Sequence, residues 1–226
     1  MIKLENTDVY GWEAAIRGAR NPMNSWNKSD SGLTIMNPGD VEFGYEPNYE
    51  YIIGENDLKL MKSLSKAGSD HGKFLRMITV TVDITAMQPW WAEFDTYKVG
   101  TVRNSCSKMH KIHVKPFELS DFTHEGCYKV DYAYGALLSV IETCERLRKD
   151  FNRTKDKKYW RALIELLPEG YRMRATVQLN YQVLKSMYFA RRNHKLDEWH
   201  DFCAWCETLP HFKEICIQED EPKNLE

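Results

Sequence analysis

The sequence lacks most features that announce a function at once. No apolar run approaches the ~20 residues needed to cross a bilayer, so no membrane span is expected. The opening Met1-Ile2-Lys3-Leu4-Glu5-Asn6 has no long apolar stretch of the secretory kind, which points to the cytoplasm. Neither sign of charge dominates: 31 Lys and Arg stand against 33 Asp and Glu, a net charge of −2. The whole-chain field therefore does not attract nucleic acid or a membrane surface, although a local basic pocket for a small phosphorylated ligand is compatible with it. The phosphate-binding loop, the dinucleotide fingerprint, the nucleophile elbow and the H-E-x-x-H zinc pair are all missing, which removes the most readily recognised enzyme classes. Six cysteines without a secretory leader read as reduced thiols rather than a disulfide framework.

What is present is ordinary globular material. Of 226 residues, 42% are hydrophobic, and 7 Trp, 12 Tyr and 9 Phe supply enough apolar surface for a core. There is no internal repeat, low-complexity block or convincing linker, so one domain is expected over residues 1–217, followed by a frayed acidic tail over 218–226.

Residues 1–10 alternate loosely, as a strand does. A short helix over 12–17 stops near Asn21-Pro22, because the residue before proline avoids the α region. Pro22, Pro38 and Pro47, among Gly, Asn and Ser, make residues 21–50 read as one long irregular segment. Asn56 reads as the N-cap of a helix over 57–67, with Leu58, Met61 and Leu64 on one face and Gly68 past its end. Residues 76–85 alternate and are β-branched, the clearest strand in the chain. Pro89 opens a helix to about residue 98, and 99–113 is turn-like. Helices are predicted over 128–151, 155–166, 176–192 and 196–208. The order of strand, helix, strand and then helices argues for the α+β class: a small antiparallel or mixed sheet packed with several helices, and a helical C-terminal half.

Two short patterns invite a metal. Cys203 and Cys206 follow His200 on one predicted helix, where positions i, i+3 and i+6 lie near one face. They share that helix with Trp199 and Phe202, and cysteine commonly packs as a small buried hydrophobe, so the pair reads as core. His110 and His113 are an equally weak pair, and no metal site is expected.

A third pattern is longer. The stretch Thr96-Tyr97-Lys98-Val99-Gly100-Thr101-Val102-Arg103-Asn104-Ser105-Cys106-Ser107-Lys108-Met109-His110, with one inserted residue near Arg103, resembles the signature RHRxxSxNExSxRY of the flavin-dependent thymidylate synthases. Asn104 and Ser107 fall on that family's Asn and second Ser, Thr101 replaces its first Ser, and Lys98 its last Arg of RHR. Around it the order is also similar: Ala15-Ile16-Arg17-Gly18-Ala19-Arg20 early, His71 ahead of a strand, then Leu167-Pro168 followed by Arg174. Asn180 then opens a helix that runs to Arg191-Arg192-Asn193-His194-Lys195-Leu196-Asp197-Glu198-Trp199. The resemblance spans residues 10–205 in order. It departs at Thr96, Ser105 and Met109, where the family has Arg, Glu and the Arg that holds substrate phosphate; Met gives no bidentate phosphate contact.

The resemblance implies an enzyme that makes dTMP from dUMP with FAD, NADPH and methylenetetrahydrofolate, as a homotetramer whose sites are shared between subunits. It implies Arg191 or Arg192 as the group that stabilises charge on the uracil ring. Substrate contacts fall to Glu93, Asn104, Ser107 and Arg174, and cofactor contacts to His71, Tyr97, Lys98 and Asn180. No protein thiol is required as nucleophile, Cys106 included. The altered signature leaves two alternatives: a related pyrimidine nucleotide hydroxymethylase, and a flavin- or nucleotide-binding homologue without chemistry.

Overall fold

The computed structural model of the protein describes residues 1–218. The chain opens on strand β1 (Lys3–Tyr10), turns at Gly11 and enters helix α1 (Trp12–Arg20). Gly11 has φ +90°, and a Cβ there would overlap the Met77 carbonyl oxygen, so this turn requires glycine. Strand β2 (Gly32–Ile35), helix α2 (Pro38–Glu42) and strand β3 (Tyr49–Ile52) follow, then α3 (Glu55–Lys66), β4 (Thr79–Met87), α4 (Gln88–Phe94), β5 (Val102–Ser105) and α5 (Lys108–Lys111). Helices α6 (Glu125–Tyr128), α7 (Asp131–Thr154) and α8 (Lys157–Leu166) lead to β6 (Arg172–Asn180), α9 (Tyr181–Arg191) and α10 (Asp197–Thr208). One sheet has the order β1-β4-β6-β5; β2 and β3 form a separate antiparallel hairpin that sets Gly32 against Ile52 and Ile35 against Tyr49. The architecture is α+β, as expected.

Several local expectations change. Segment 21–50 is built rather than irregular: Pro38 opens α2, and the hairpin strands flank it. The helix expected over 176–192 begins as strand β6, in which Met173, Ala175, Val177 and Leu179 are buried and Arg174, Thr176 and Gln178 exposed, a period of two. Asn180 does open a helix: its Oδ1 accepts from the Val183 N–H at 3.0 Å. The N-cap of α3 is Gly54, not Asn56; the Asn56 and Asp57 N–H groups donate to the Asp30 carboxylate at 2.9 and 3.1 Å. The helix from Pro89 ends at Phe94, the turn-like stretch holds β5 and α5, and the strand of residues 76–85 starts at Thr79 because Gly72–Arg76 forms a 3-10 turn. The expected tail lies outside the described residues beyond Gln218, whose side-chain amide donates to the Lys62 carbonyl at 2.7 Å.

Contacts gather these elements into two units, and β1, β4 and β6 each run from one into the other. The first unit takes Met1–Thr7, Val82–Val177 and Arg192–Phe202. In it, α7 and α8 pack around Ile112, Cys144 and Leu163, and burial pushes the Cys144 thiol up to about 11. A second cluster is aromatic: Trp90 lies 4.8 Å from Trp199 and 5.2 Å from Phe94, with Trp91 and Phe202 against it.

The second unit takes Asp8–Thr81, Gln178–Arg191 and the described residues from Cys203 on. Here the Tyr181 ring meets Trp12 and Phe212 edge-on, and its hydroxyl donates to the Pro210 carbonyl at 2.6 Å. A buried ion pair joins α1 to α3: Arg20 Nε reaches Asp57 Oδ1 at 2.6 Å, both side chains being 5% exposed or less. The other Asp57 oxygen accepts from the Ser29 and Ser31 hydroxyls, each at 2.7 Å, and from the Asp30 and Ser31 N–H groups. Burial alone would raise this carboxyl, but the hydrogen bonds from Ser29, Ser31 and Arg20 outweigh it and hold it at about 2. Cys203, Cys206 and Cys216 are buried, and burial lifts the Cys216 thiol to about 12 and the Cys206 thiol well above its ordinary value. The CxxC pair is therefore packed into the core.

Candidate functional site

The site begins with the two-residue period of β4 and β6 in the first unit. Val82, Ile84 and Ala86 of β4 and Met173, Ala175 and Val177 of β6 point to the buried side. Asp83 and Thr85, with Arg172, Arg174 and Thr176, point the other way. Asp83 organises this polar face. It accepts from the Thr176 hydroxyl at 2.5 Å, from Asn6 Nδ2 at 2.8 Å and from Arg174 Nη2 at 2.7 Å. These three donors hold its carboxyl well below the usual carboxylate range, and the same contact raises Arg174 further above its ordinary value.

The chain after β5 encloses a cavity of about 650 Å³ against this face. The Cys106 N–H donates to the Arg174 carbonyl at 3.0 Å, which carries the end of β5 alongside β6. Ser107 then caps α5, its hydroxyl accepting from the His110 N–H at 3.2 Å. Lys108 and Lys111 leave α5 a turn apart, and Lys108 Nζ reaches Gln88 Oε1 at 3.2 Å. Farther along, Lys115 pairs with Asp121 at 2.5 Å. The Arg172 guanidinium donates to the Ser120 and Met1 carbonyls, and its Nε is buried without a hydrogen-bond partner. Six cations, Lys3, Lys108, Lys111, Lys115, Arg172 and Arg174, line this space against two carboxylates, Glu5 and Asp121. An anion is the ligand that such a lining suits.

Of the residues expected at a site, Ser107 and Arg174 meet in this cavity. Asn104 is exposed on β5 of the same unit and does not line it. Glu93 is engaged elsewhere: its Oε2 accepts from Trp199 Nε1 at 2.8 Å and from His194 Nε2 at 3.1 Å. Tyr97 is half-buried with its ring 6.4 Å from Trp199, Lys98 is exposed beside it, and Arg192 is exposed at the start of the stretch that carries His194 and Trp199. His71, exposed, Asn180, capping α9, and Arg191, half-buried at the end of α9, belong to the second unit. Met109, at the position where the family has its phosphate-holding Arg, is exposed on α5 and does not line the cavity, whereas its neighbour Lys108 does. Arg103 is committed to Asp95, at 2.7 Å, and to the Trp91 ring, 3.8 Å below its guanidinium carbon.

Sequence reasoning missed Lys3, Lys111, Lys115 and Arg172. Two signals were there to find all but Lys3. Lys108, Lys111 and Lys115 are spaced by three and four, and Arg172 stands two before Arg174 in a strand that alternates.

No family model and no curated protein matches the sequence. Solved structures do match the fold. Thymidylate Synthase X (ThyX) from Helicobacter pylori, solved with FAD and dUMP, superposes with a TM-score of 0.68 over 96% of this chain and 97% of its own, at 15% identity. A second structure, of flavin-dependent thymidylate synthase ThyX from Helicobacter pylori complexed with FAD and dUMP, gives 0.67 over 95% and 97%, again at 15% identity. The chain thus has the fold of the flavin-dependent thymidylate synthases, in keeping with the ordered motifs along its sequence.

Proposed function

We propose that the protein is a flavin-dependent enzyme that converts dUMP to dTMP, with NADPH as reductant and methylenetetrahydrofolate as carbon donor. One observation carries the reading. Ser107 of the altered signature and Arg174, 67 residues later, converge on a cavity with six cations and two carboxylates, in a chain whose fold is that of enzymes solved with FAD and dUMP. That donor set fits a nucleotide monophosphate, which brings close to two negative charges. For FAD, the residues that the resemblance marks are the exposed Lys98 and half-buried Tyr97 of the first unit and the exposed His71 of the second. Asn180 keeps its amide nitrogen while its oxygen caps α9.

Bound FAD supplies the redox chemistry. The chain's own residues bind and polarise. Arg174 and Lys108 hold the phosphate, and the Ser107 hydroxyl orients it. Arg191, or Arg192 beside it, stabilises negative charge as it develops on the uracil ring. The chain just after Arg192 is anchored. The Leu196 N–H donates to His194 Nδ1 at 3.1 Å, so Nε2 carries the ring proton and donates it to Glu93. Cys106 lines the cavity but has no assigned role as nucleophile. We read residues 1–217 as one catalytic domain, the active form as a homotetramer, and the location as cytoplasmic.

Met109, exposed and away from the cavity, favours one competing reading: a relative with altered phosphate binding that leaves a hydroxymethyl group on a pyrimidine nucleotide. A homologue that binds flavin without turnover is the other. Purified protein with absorption bands near ~370 and ~450 nm, characteristic of oxidised flavin, that gives dTMP from dUMP by mass spectrometry would support the first reading. A hydroxymethylated product, or a yellow protein inert toward dUMP and dCMP, would replace it.

A further inference from the structure

We propose that the cationic cavity grips a nucleotide by two phosphoryl groups, so that a pyrimidine nucleoside diphosphate competes with the monophosphate for the site. The first phosphoryl lies against Ser107, Lys108 and Arg174, and the second against Lys111 and Arg172. The inference rests on the reading of this cavity as the nucleotide site and adds a ligand that regulates it.

The argument is one of charge and spacing. Arg174 is already compensated by Asp83 and Lys115 by Asp121. The remaining lining sets four cations, Lys3, Lys108, Lys111 and Arg172, against the single carboxylate of Glu5, an excess of three. A phosphomonoester brings about two negative charges at most and leaves part of that excess unanswered; a diphosphate supplies the third. Spacing agrees. Lys108 and Lys111 are three residues apart on α5, a rise of about 4.5 Å along one helix face. Arg172 and Arg174 are two apart on β6, about 6.6 Å along one strand face. Each element thus presents cations in tandem rather than singly. Arg172 is also held in place at the cavity wall, its guanidinium donating to the Ser120 and Met1 carbonyls. A volume of about 650 Å³ leaves room for the longer ligand.

Calorimetric titration of dUMP, dUDP and inorganic pyrophosphate at low salt tests this, in wild type and in Lys111→Gln. dUDP is expected to bind about tenfold more tightly than dUMP, and pyrophosphate to compete with dUMP. In Lys111→Gln the dUDP advantage should shrink to about threefold or less, with Lys111→Arg restoring it. Added salt should erode the advantage as well. If dUMP binds and dUDP binds no more tightly, the second phosphoryl position is wrong while the nucleotide reading stands. If pyrophosphate binds through Lys111 and dUMP does not bind at all, the tandem anion site stands and the dUMP reading falls. If neither binds, both fall.

Discussion

Asp57 offers a sharp test of how the second unit is held together. Its carboxylate accepts from Arg20, from the Ser29 and Ser31 hydroxyls and from two backbone N–H groups, in a place closed to solvent. In Asp57→Asn the buried Arg20 guanidinium, 5% exposed, loses its counter-charge, and an amide NH₂ replaces an acceptor in a shell made of donors. Removing one partner of a buried ion pair costs about 3–5 kcal/mol, a large share of the ~5–15 kcal/mol that holds a typical domain folded. For a chain of this length that is a fall in Tm of roughly 6–20 °C. Thermal unfolding followed by circular dichroism at pH 7 measures it, and a loss under about 1 kcal/mol would refute the account. Acid gives an independent check. The folded carboxyl titrates at about 2 rather than at its ordinary 3.8. Its contribution is present above the unfolded value and lost as pH falls toward the folded one. That lowering corresponds to about 2 kcal/mol. The stability gap between wild type and Asp57→Asn should therefore narrow from about pH 5 to about pH 2; a gap that stays constant across this range would contradict the sign of the shift.

Three further outcomes follow from the proposed site. Arg174→Ala should weaken dUMP binding at least about thirtyfold with the fold intact, because Thr176 and Asn6 still satisfy Asp83; equal affinity by calorimetry would remove Arg174 from the site. Cys106→Ala should keep most turnover, and abolition of turnover with normal flavin content would put a thiol into the mechanism. Light scattering should give an assembly of four 26.6 kDa chains, and a lone monomer at assay concentration would count against a site shared between subunits.

Much of this fold was readable because most of its elements are specified locally. β4 shows its alternation, α3 its apolar face, and α7 and α8 their length. β6 alternates too, but the sequence reading missed it: the strand runs without a turn into α9, and the helical signal of residues 181–191 spread backward over its end. Gly54 acting as an N-cap was not readable. The acceptor for the first N–H groups of α3 is Asp30, some 25 residues upstream, and no window of sequence joins the two. The site divides in the same way. Ser107 and Arg174 stand at positions that ordered motifs pick out. Lys3 becomes a neighbour of the cavity only because β1, β4, β6 and β5 lie in that order, a matter of long-range pairing. Glu93, which the resemblance marks as a substrate contact, accepts from the Trp199 indole and the His194 imidazole, contacts about a hundred residues away that no local motif announces.

The passage of three strands from one unit to the other has a bearing on how the protein is born. A ribosome delivers the chain from its N-terminus, yet the first unit needs both Met1–Thr7 and Arg192–Phe202, and the second needs residues from Cys203 onward. Neither is complete until its late segments have been made, residues 192–202 for the first and 203 onward for the second. No early stop codon yields a working half, and no cut between two contiguous pieces separates the units. Lys3 and Arg174, which line one cavity, come from β1 and β6 and can meet only once the chain has been made through β6. The anion site thus waits for its last strand.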